Sequence, residues 1–364
     1  FYQIVFTYGR RRHSHRHLSW SSHPPAVSER NMIIRKNTDL RKYTTFKIGG
    51  RASYFVEVFS VDELIGALSF SKQKKLPVVI LGGGSNILFP DNRLKAVVIK
   101  INLLGIKFKG PDVKVMAGEN WDRLVKKSLD HGLYGLENLS GIPGTVGAAP
   151  IQNIGAYGAE AGRYIKKVKA LNKKSLKLKE FSRKECKFRY RDSFFKTKRG
   201  QKYLILEVVL SLDREFKANL KYKDLVRYFS EKKRPKAKDV RKAVLKIRSR
   251  KFPNMKKFGT AGSFFKNPII TKSHYSRLLK KHPQLPNFKA EKGKVRVPLG
   301  YILDKILNLT DFRQKQVGLY KNQPLVFINY KKGTQKDILK LKKEIERKVF
   351  QKTKIKIFPE VTFI

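Results

Sequence analysis

Two glycine-rich segments carry the clearest chemical signal in this 364-residue chain. The first, Leu81-Gly-Gly-Gly-Ser-Asn-Ile-Leu88, follows a hydrophobic run and brings backbone N–H groups without Cβ atoms to one short loop. Such a loop suits a phosphate, and Ser85 and Asn86 add side-chain donors. The segment has neither the Lys of a Walker loop nor the spacing of a dinucleotide-binding turn, so a tight turn without a ligand remains an equal alternative.

The second segment, Gly141–Gly158, is longer and excludes charge. It contains five glycines, two prolines and no charged residue, in a chain that places Lys almost everywhere else. Backbone that must lie against a large flat ligand has this composition, because no side chain stands in the way. A long glycine-rich connector is the alternative. We therefore predict a ligand site built largely from backbone.

The composition suggests a basic globular protein. Lys and Arg number 82 against 28 Asp and Glu, which gives a net charge of +54, but 41% hydrophobic residues exclude a disordered polycation. The charge first suggests a nucleic-acid binder. It is spread along the chain, however, and a general bias toward Lys explains it better than a selected polyanionic partner does. The single cysteine, Cys186, cannot close an intramolecular disulfide.

Residues 1–31 differ in composition from the rest of the chain. They are rich in Arg and Ser, poor in acids, and precede Met32. They are interpreted either as an organelle transit peptide or as translation from upstream of the true start. Four histidines fall in this segment, at His13, His15, His17 and His23. They form a polar tail without the hydrophobic period needed to fix metal ligands, so no metal site is predicted.

From Met32 the pattern is that of a folded α+β protein without a membrane segment, since no apolar run approaches ~18 residues. The Pro253–Pro268 loop is predicted to be a linker into a second unit. The tail, Lys354–Ile364, is β-prone. Strands are predicted at Ser53–Val58, Pro77–Leu81, Ala96–Lys100, Val113–Ala117, Tyr203–Leu212 and Leu325–Asn329, and helices at Val61–Lys75, Asn120–His131, Lys236–Arg250, Leu299–Leu307 and Gln335–Phe350. The first glycine-rich loop thus follows a strand.

Six segments resemble, in order and spacing, those of the UDP-N-acetylenolpyruvoylglucosamine reductase family, which catalyses the second step of peptidoglycan precursor synthesis. Similarity runs from Asn37 to Ile364. The segments similar to flavin-binding ones are Thr44–Gly50, Leu81–Leu88 and Ile142–Gly158, and those similar to catalytic ones are Tyr190–Ser193, Gly259–Pro268 and Pro359–Val361. Tyr190–Ser193, with Tyr222 downstream, resembles the longer of the family's two architectural types.

The resemblance implies an α+β fold, namely the FAD-binding fold of the vanillyl-alcohol oxidase (PCMH) type followed by a smaller α+β substrate-binding domain. The implied division is 1–31, a leader or upstream extension; 32–246, an FAD-binding domain of two subdomains; 247–354, the substrate-binding domain; and 355–364, a C-terminal strand bearing a catalytic Glu.

The implied reaction passes a hydride from NADPH to FAD and then to the enolpyruvyl ether of UDP-N-acetylglucosamine enolpyruvate, giving UDP-N-acetylmuramate. A hydride added at the β-carbon leaves negative charge at the α-carbon and the adjacent carboxylate, so the site must stabilise an enolate and then protonate it. By resemblance, Ser263 is the proton donor, Arg191 binds the carboxylate, and Glu360 helps to polarise it.

Further site residues follow from the same resemblance. The implied flavin-binding residues are Thr45, Ile48, Gly49, Leu81, Gly82, Gly83, Gly84, Ser85, Asn86, Pro143, Gly144, Thr145, Gly147, Ala148, Pro150, Gln152, Asn153, Ile154, Ala156 and Tyr157. The implied substrate-binding residues are Tyr190, Tyr222, Lys251, Asn267 and Lys305. Two positions depart from the family pattern: Lys305 stands where Gln is usual, and Lys315-Gln316 lies near a usual glycine pair. Activity is expected to survive both departures. The first bears on how the nucleotide is held, and the second bears on the stiffness of a loop.

The family resemblance implies a monomeric cytoplasmic enzyme that binds no membrane and has no specific nucleic-acid partner. The alternative hypothesis is a basic nucleic-acid-binding protein on a flavoprotein-like scaffold. Steep salt dependence of binding follows from the charge in both cases, so only sequence-selective binding at physiological salt would favour the rival.

Overall fold

A mixed sheet forms the first unit of the computed structural model, which describes residues 32–231 and 234–364. The predicted leader and its four histidines lie outside the described residues. The elements of this unit are β1 (Ile34–Asp39), β2 (Arg51–Val58), α1 (Val61–Gln73), β3 (Val78–Leu81), β4 (Ile87–Leu88) and β5 (Leu94–Ile101). The strand order is β1-β2-β5-β3, with β1 antiparallel to β2 and the other pairs parallel. Ser60 caps α1 by accepting from the Glu63 N–H, so the helix begins where predicted.

An antiparallel sheet forms the second unit, in the order β11-β10-β12-β7-β6. Its elements are β6 (Ile106–Lys109), β7 (Asp112–Met116), α2 (Trp121–Asp130), β8 (Gly155–Ala156), β9 (Ala159–Glu160), β10 (Ile165–Asn172), β11 (Leu178–Ser182), α3 (Arg183–Cys186) and β12 (Tyr203–Ser211). The central strand β12 is buried along most of its length. One hydrophobic core joins this sheet to the first through residues such as Ile99 and Val208.

Two helices follow and cover the glycine-rich segment 141–158. They are α4 (Lys223–Tyr228) and α5 (Ala237–Lys251). Leu225, Val240 and Val244 form a small core with Tyr157 of that segment. The helices therefore hold one flank of the predicted flavin loop in place.

The third unit is built on short sheets and one long helix. Its elements are β13 (Ile269–Thr271), α6 (Lys272–Lys281), β14 (Phe288–Lys289), β15 (Lys294–Arg296), α7 (Leu299–Tyr301), β16 (Arg313–Gln314), β17 (Val317–Tyr320), β18 (Gln323–Asn329), α8 (Gln335–Thr353) and β19 (Thr362–Phe363). The predicted helix Leu299–Leu307 is α7 continued by a π-helical turn, Ile302–Ile306. Short 3₁₀ turns also occur in the chain, at Leu40–Tyr43, Glu137–Leu139, Val146–Ala148, Ala161–Arg163, Phe194–Lys196 and Gly200–Lys202.

Two expectations about this part of the chain need correction. The 253–268 segment is not a free linker, because Gly259 pairs with Asn329 and the buried Phe264 stacks on Phe327 at 4.0 Å between ring centroids. The tail is a strand only at Thr362–Phe363, so Glu360 precedes the strand instead of lying in it. That strand is too short to define a separate unit, and it pairs in parallel with β4.

The C-terminal segment therefore returns to the first unit. The Thr362 N–H donates to the Asn86 carbonyl at 3.0 Å, beside the first glycine-rich loop. A second contact joins the first unit to the start of α8. The Asp91 carboxylate accepts a hydrogen bond from the Gln335 N–H at 2.7 Å. Within the described ranges, no helix is both long and apolar enough to cross a membrane.

Candidate active site

The two glycine-rich loops pack directly against each other. A Cβ atom on Gly83 would lie 2.8 Å from the Cα of Gly144, and one on Gly82 would lie 2.6 Å from Oγ1 of Thr145. The Ser85 hydroxyl donates to the Pro143 carbonyl at 2.9 Å. Glycine is thus required for loop-to-loop contact as well as for approach by a ligand, a reason that sequence reasoning missed.

The first loop offers an unpaired row of donors. Gly82 to Asn86 follow β3, and none of their five backbone N–H groups donates a hydrogen bond within the described chain. Gly84 has φ +63°, and a Cβ there would lie 2.0 Å from the Tyr43 carbonyl oxygen. A compact row of free N–H groups at a strand end is the donor set that a diphosphate requires. The residues present therefore fit the diphosphate of FAD.

Charged side chains anchor the start of the second loop. Both terminal nitrogens of Arg241 donate to the Asp122 carboxylate, at 2.6 and 2.8 Å. Asp122 also accepts from the Gly141 N–H at 2.6 Å. Burial alone would raise the pKa of Asp122, but the guanidinium and this N–H outweigh it and hold the pKa below its usual value. The pair ties the loop to α2 and α5.

Arg191 and Glu360 meet although 169 residues separate them. The Arg191 Nε lies 3.1 and 3.2 Å from the two carboxylate oxygens of Glu360. Arg191 Nη2 donates to the Gly155 carbonyl at 2.6 Å, which places the guanidinium against the second glycine-rich loop. Both side chains are largely buried. The structure thus joins two of the three predicted catalytic residues to the predicted flavin segment.

The backbone around Ser263 lies beside Glu360. The Glu360 N–H donates to the carbonyl of Phe264, the residue after Ser263, at 2.8 Å. The Glu360 carbonyl accepts from Asn86 Nδ2 at 3.2 Å, and that amide also donates to Gln152 at 3.0 Å. Ser263 is half-buried, and its hydroxyl has no hydrogen-bond partner among the described residues. The hydroxyl is therefore free to act on a bound molecule.

One set of predicted substrate-binding residues lies at α4 and α5. Lys251 forms an ion pair with Asp224, and its Nζ lies 5.7 Å from the ring centroid of Tyr222. Tyr222 packs edge-on against Tyr157 at 5.2 Å between centroids. Burial raises the pKa of Tyr157 to about 12, so its phenol stays protonated. The structure therefore brings Tyr222 and Lys251 together beside a predicted flavin residue.

A second set lies where Tyr190 of the second unit meets the third unit. The guanidinium carbon of Arg296 lies 4.1 Å from the ring centroid of Tyr190, and burial raises the pKa of that phenol. Asn267 is held by its side-chain oxygen, which accepts from the Leu299 N–H at 3.0 Å. Lys305, in contrast, has a side chain 64% exposed and pairs with Asp304 at 3.3 Å. The guanidinium carbon of Arg191 lies 5.7 Å from the Tyr190 ring centroid, so the described contacts join Tyr190, but not Lys305, to the Arg191–Glu360 pair.

Comparisons with known proteins decide the family. Residues 52–175 match the family model described as an FAD binding domain, and residues 253–364 match that of the UDP-N-acetylenolpyruvoylglucosamine reductase C-terminal domain. The UDP-N-acetylenolpyruvoylglucosamine reductase of Flavobacterium johnsoniae is 38% identical over 344 residues, which cover 92% of this chain and 100% of that protein. The chain belongs to the UDP-N-acetylenolpyruvoylglucosamine reductase family. The reductase of Chromobacterium violaceum is 37% identical over 335 residues, covering 90% of this chain and 98% of its own.

A solved reductase structure shares the fold. The crystal structure of UDP-N-acetylenolpyruvylglucosamine reductase from Thermus caldophilus superposes with a TM-score of 0.65 at 22% identity, covering 91% of this chain and 99% of that one. The predicted reductase family and the α+β, FAD-binding fold are therefore confirmed. FAD and NADPH, the two predicted cofactors, follow from membership of the reductase family.

Sequence reasoning missed three residues that contact the candidate site. Lys196 donates to the Arg191 carbonyl, Arg296 stacks on Tyr190, and Arg241 anchors the second glycine-rich loop through Asp122. Each is one basic residue among 82 Lys and Arg, so its type carried no signal. For Lys196 the position offered one, because it follows the Tyr190–Ser193 motif by three residues.

Proposed function

We propose that this chain reduces UDP-N-acetylglucosamine enolpyruvate to UDP-N-acetylmuramate at the Arg191–Glu360 cluster. The observation that carries the proposal is the meeting of Arg191, Glu360 and the Ser263 segment beside the second glycine-rich loop. When bound there, FAD supplies the hydride chemistry, with NADPH as the source and the β-carbon of the enolpyruvyl group as the acceptor.

Arg191 binds and activates the substrate carboxylate in this proposal. Its Nε is used by Glu360 and its Nη2 by Gly155, whereas Nη1 has no hydrogen-bond partner within the described residues. That nitrogen can donate to a carboxylate, and the charge-assisted bond strengthens as negative charge moves onto the oxygens. Glu360 shares the guanidinium, so a substrate carboxylate bound there lies near a second carboxyl group. Such contact favours one proton held between the two.

Ser263 donates the proton that completes the reduction. Hydride addition at the β-carbon leaves an enolate, and the α-carbon then takes the proton from the Ser263 hydroxyl, which recovers one from water. A hydroxyl is a weak acid, but in a site closed to water it needs only to be positioned. The Ser263 hydroxyl is half-buried and has no protein partner among the described residues, so it is available to a bound substrate, which in this proposal positions it and closes the site.

The UDP diphosphate is assigned to Tyr222, Lys251 and Asn267. The contact between Tyr222 and Lys251 supports the first two assignments. A phenol donor and an ammonium point charge suit a diphosphate. The proposed division places residues 32–246 around FAD, residues 247–354 around the UDP-sugar, and residues 355–364 between them.

The test is the Ser263→Ala variant followed in two half-reactions. We expect flavin reduction by NADPH to keep its rate, while reaction with the enolpyruvyl sugar slows by several orders of magnitude. Ser249→Ala, on the exposed face of α5, is the matched control and should behave as wild type. Equal slowing of both half-reactions would exclude Ser263 as the specific proton donor. Wild-type protein that holds FAD but does not oxidise NADPH with this sugar would exclude the proposed function.

A monomeric state, a cytoplasmic location and the lack of a specific nucleic-acid partner stay predictions. Sequence-selective DNA or RNA binding that survives physiological salt would favour the basic nucleic-acid-binding alternative. Binding that disappears with salt would reflect charge alone.

A further inference from the structure

Arg191 occupies an unusual backbone conformation. Arg189 and Asp192 pair through their backbone groups at 3.0 and 3.2 Å, so Tyr190 and Arg191 are the central residues of a tight turn. Arg191 has φ +51°, in the left-handed region. Turns of this kind usually place Gly at that position, because an L side chain is disfavoured there. Such a residue persists only where its surroundings hold it.

Lys196 is the side chain that holds the carbonyl of this residue. Its Nζ donates to the Arg191 carbonyl oxygen at 3.2 Å. Lys196 ends the short 3₁₀ turn Phe194–Lys196, which Ser193 caps at its N-terminus. The Ser193 hydroxyl accepts from the Phe195 N–H at 3.2 Å and donates to the Ile151 carbonyl at 2.7 Å, in the second glycine-rich loop. Lys196 thus lies on a segment that is hydrogen-bonded to the second glycine-rich loop, the predicted flavin segment.

The charges around Lys196 come from three separate segments. Arg191 and Asp192 lie on the turn, Lys266 on the 253–268 segment, and Glu360 on the C-terminal segment. Burial, followed by repulsion from Lys266, lowers the pKa of Lys196, while Glu360 and Asp192 act in the opposite direction. A half-buried ammonium among these groups is suited to a task other than solubility.

We infer that Lys196 is a positioning residue that holds Arg191 in its left-handed turn and so keeps the guanidinium against Glu360. Lys196 acts through the Arg191 carbonyl, and its positive charge strengthens that hydrogen bond. The inference rests on the proposed function, since the guanidinium so placed is the group that receives the substrate carboxylate.

The first experiment compares Lys196→Met with Lys196→Arg. We expect kcat/KM for the enolpyruvyl sugar to fall about 100-fold in Lys196→Met, because a displacement of roughly 1 Å at a catalytic group has an effect of that size. Lys196→Arg keeps a charged donor and should stay within about fivefold of wild type. Lys198→Met, two residues on and exposed, is the matched control and should equal wild type. A Lys196→Met value within twofold of wild type would overturn the inference.

The pH profile supplies a readout that a merely structural lysine would not move. The lowered pKa of Lys196 means that kcat/KM should decline at alkaline pH as the ammonium loses its proton. Arginine stays protonated there, so Lys196→Arg should shift this decline to higher pH. Identical alkaline limbs in wild type and Lys196→Arg would contradict the inference, even if Lys196→Met fails to fold.

Failure of the proposed function can be told apart from failure of this inference. If wild-type protein does not turn over the sugar, a crystal structure of Lys196→Met decides the role of Lys196. The inference predicts that Arg191 leaves φ +51° and that its Nε moves away from the Glu360 carboxylate, 3.1 Å distant in the wild type. Retention of both features would refute it.

Discussion

Replacing Gly83 by Ala should weaken FAD binding, because the two glycine-rich loops touch at this residue. The added Cβ would lie 2.8 Å from the Cα of Gly144 and 3.2 Å from its carbonyl carbon. Carbon atoms settle at about 3.5–4.0 Å, so the loops must separate by roughly 0.7–1.2 Å. The obstructing atoms belong to backbone, which cannot rotate aside. FAD would then meet a widened cradle with misplaced N–H donors.

Overpacking of this kind costs about 1–3 kcal/mol. If the cost falls on the cofactor-binding geometry, FAD affinity drops about 5- to 150-fold, since 1.4 kcal/mol corresponds to a factor of ten. The assay is titration of apoprotein with FAD, followed by flavin fluorescence, alongside thermal unfolding of the apoprotein. Gly66→Ala, in helix α1, is the control. Among the described residues, the only atom within 4 Å of the added Cβ would be the Met32 Sδ, at 3.9 Å. That control should gain about 0.8–1 kcal/mol of helix stability. A folded Gly83→Ala protein with FAD affinity within twofold of wild type would refute the reasoning.

Two further predictions concern buried groups away from the reacting atoms. Arg241→Met should lower the free energy of unfolding at pH 7 by about 1–3 kcal/mol, because it leaves Asp122 partly buried without its guanidinium. The folded pKa of Asp122 lies below its usual value despite burial, so this stabilisation is present above ~pH 4 and lost as pH falls through the folded pKa. The gap in free energy between wild type and variant should therefore narrow in acid, and a gap that widens there would contradict the assignment. Burial raises the pKa of Cys186 to about 12, so a thiol reagent at pH 8 should label unfolded but not native protein. Rapid labelling of the native state would show that the thiol is accessible.

Hydrophobic pattern was sufficient to predict most long elements. The helix predicted at Val61–Lys75 is Val61–Gln73, and the strand predicted at Tyr203–Leu212 is Tyr203–Ser211. The helix buries one apolar face, and the strand is buried along most of its length. The local pattern and the tertiary packing therefore agree. The C-terminal tail differs because its apolar residues, such as Ile355 and Ile357, bury into the third unit without strand partners. Apolar alternation there reflected burial and not a sheet.

The site divides in the same way between local and long-range information. Backbone-built features such as the Gly82–Gly84 turn are visible in the sequence, because glycine and the absence of charge are local properties. The pairing of Arg191 with Glu360 spans 169 residues, and only the family resemblance pointed to it. Lys196 shows the remaining limit. Its role depends on the φ angle of another residue, which no residue type reveals.

Because the net charge is high, positive charge alone does not mark a cation of the candidate site. With 28 acidic residues against 82 basic ones, most Lys and Arg have no acidic partner of their own. Arg191 pairs with Glu360, and Lys251 pairs with Asp224. An acidic partner orients each cation and moderates its attraction for anions, so a polyanion drawn by the general positive field does not bind there without the right geometry. We expect the diffuse charge to raise the encounter rate of anionic ligands at low salt, and in the proposed function Arg191 and Lys251, each held by an acidic partner, select among those ligands.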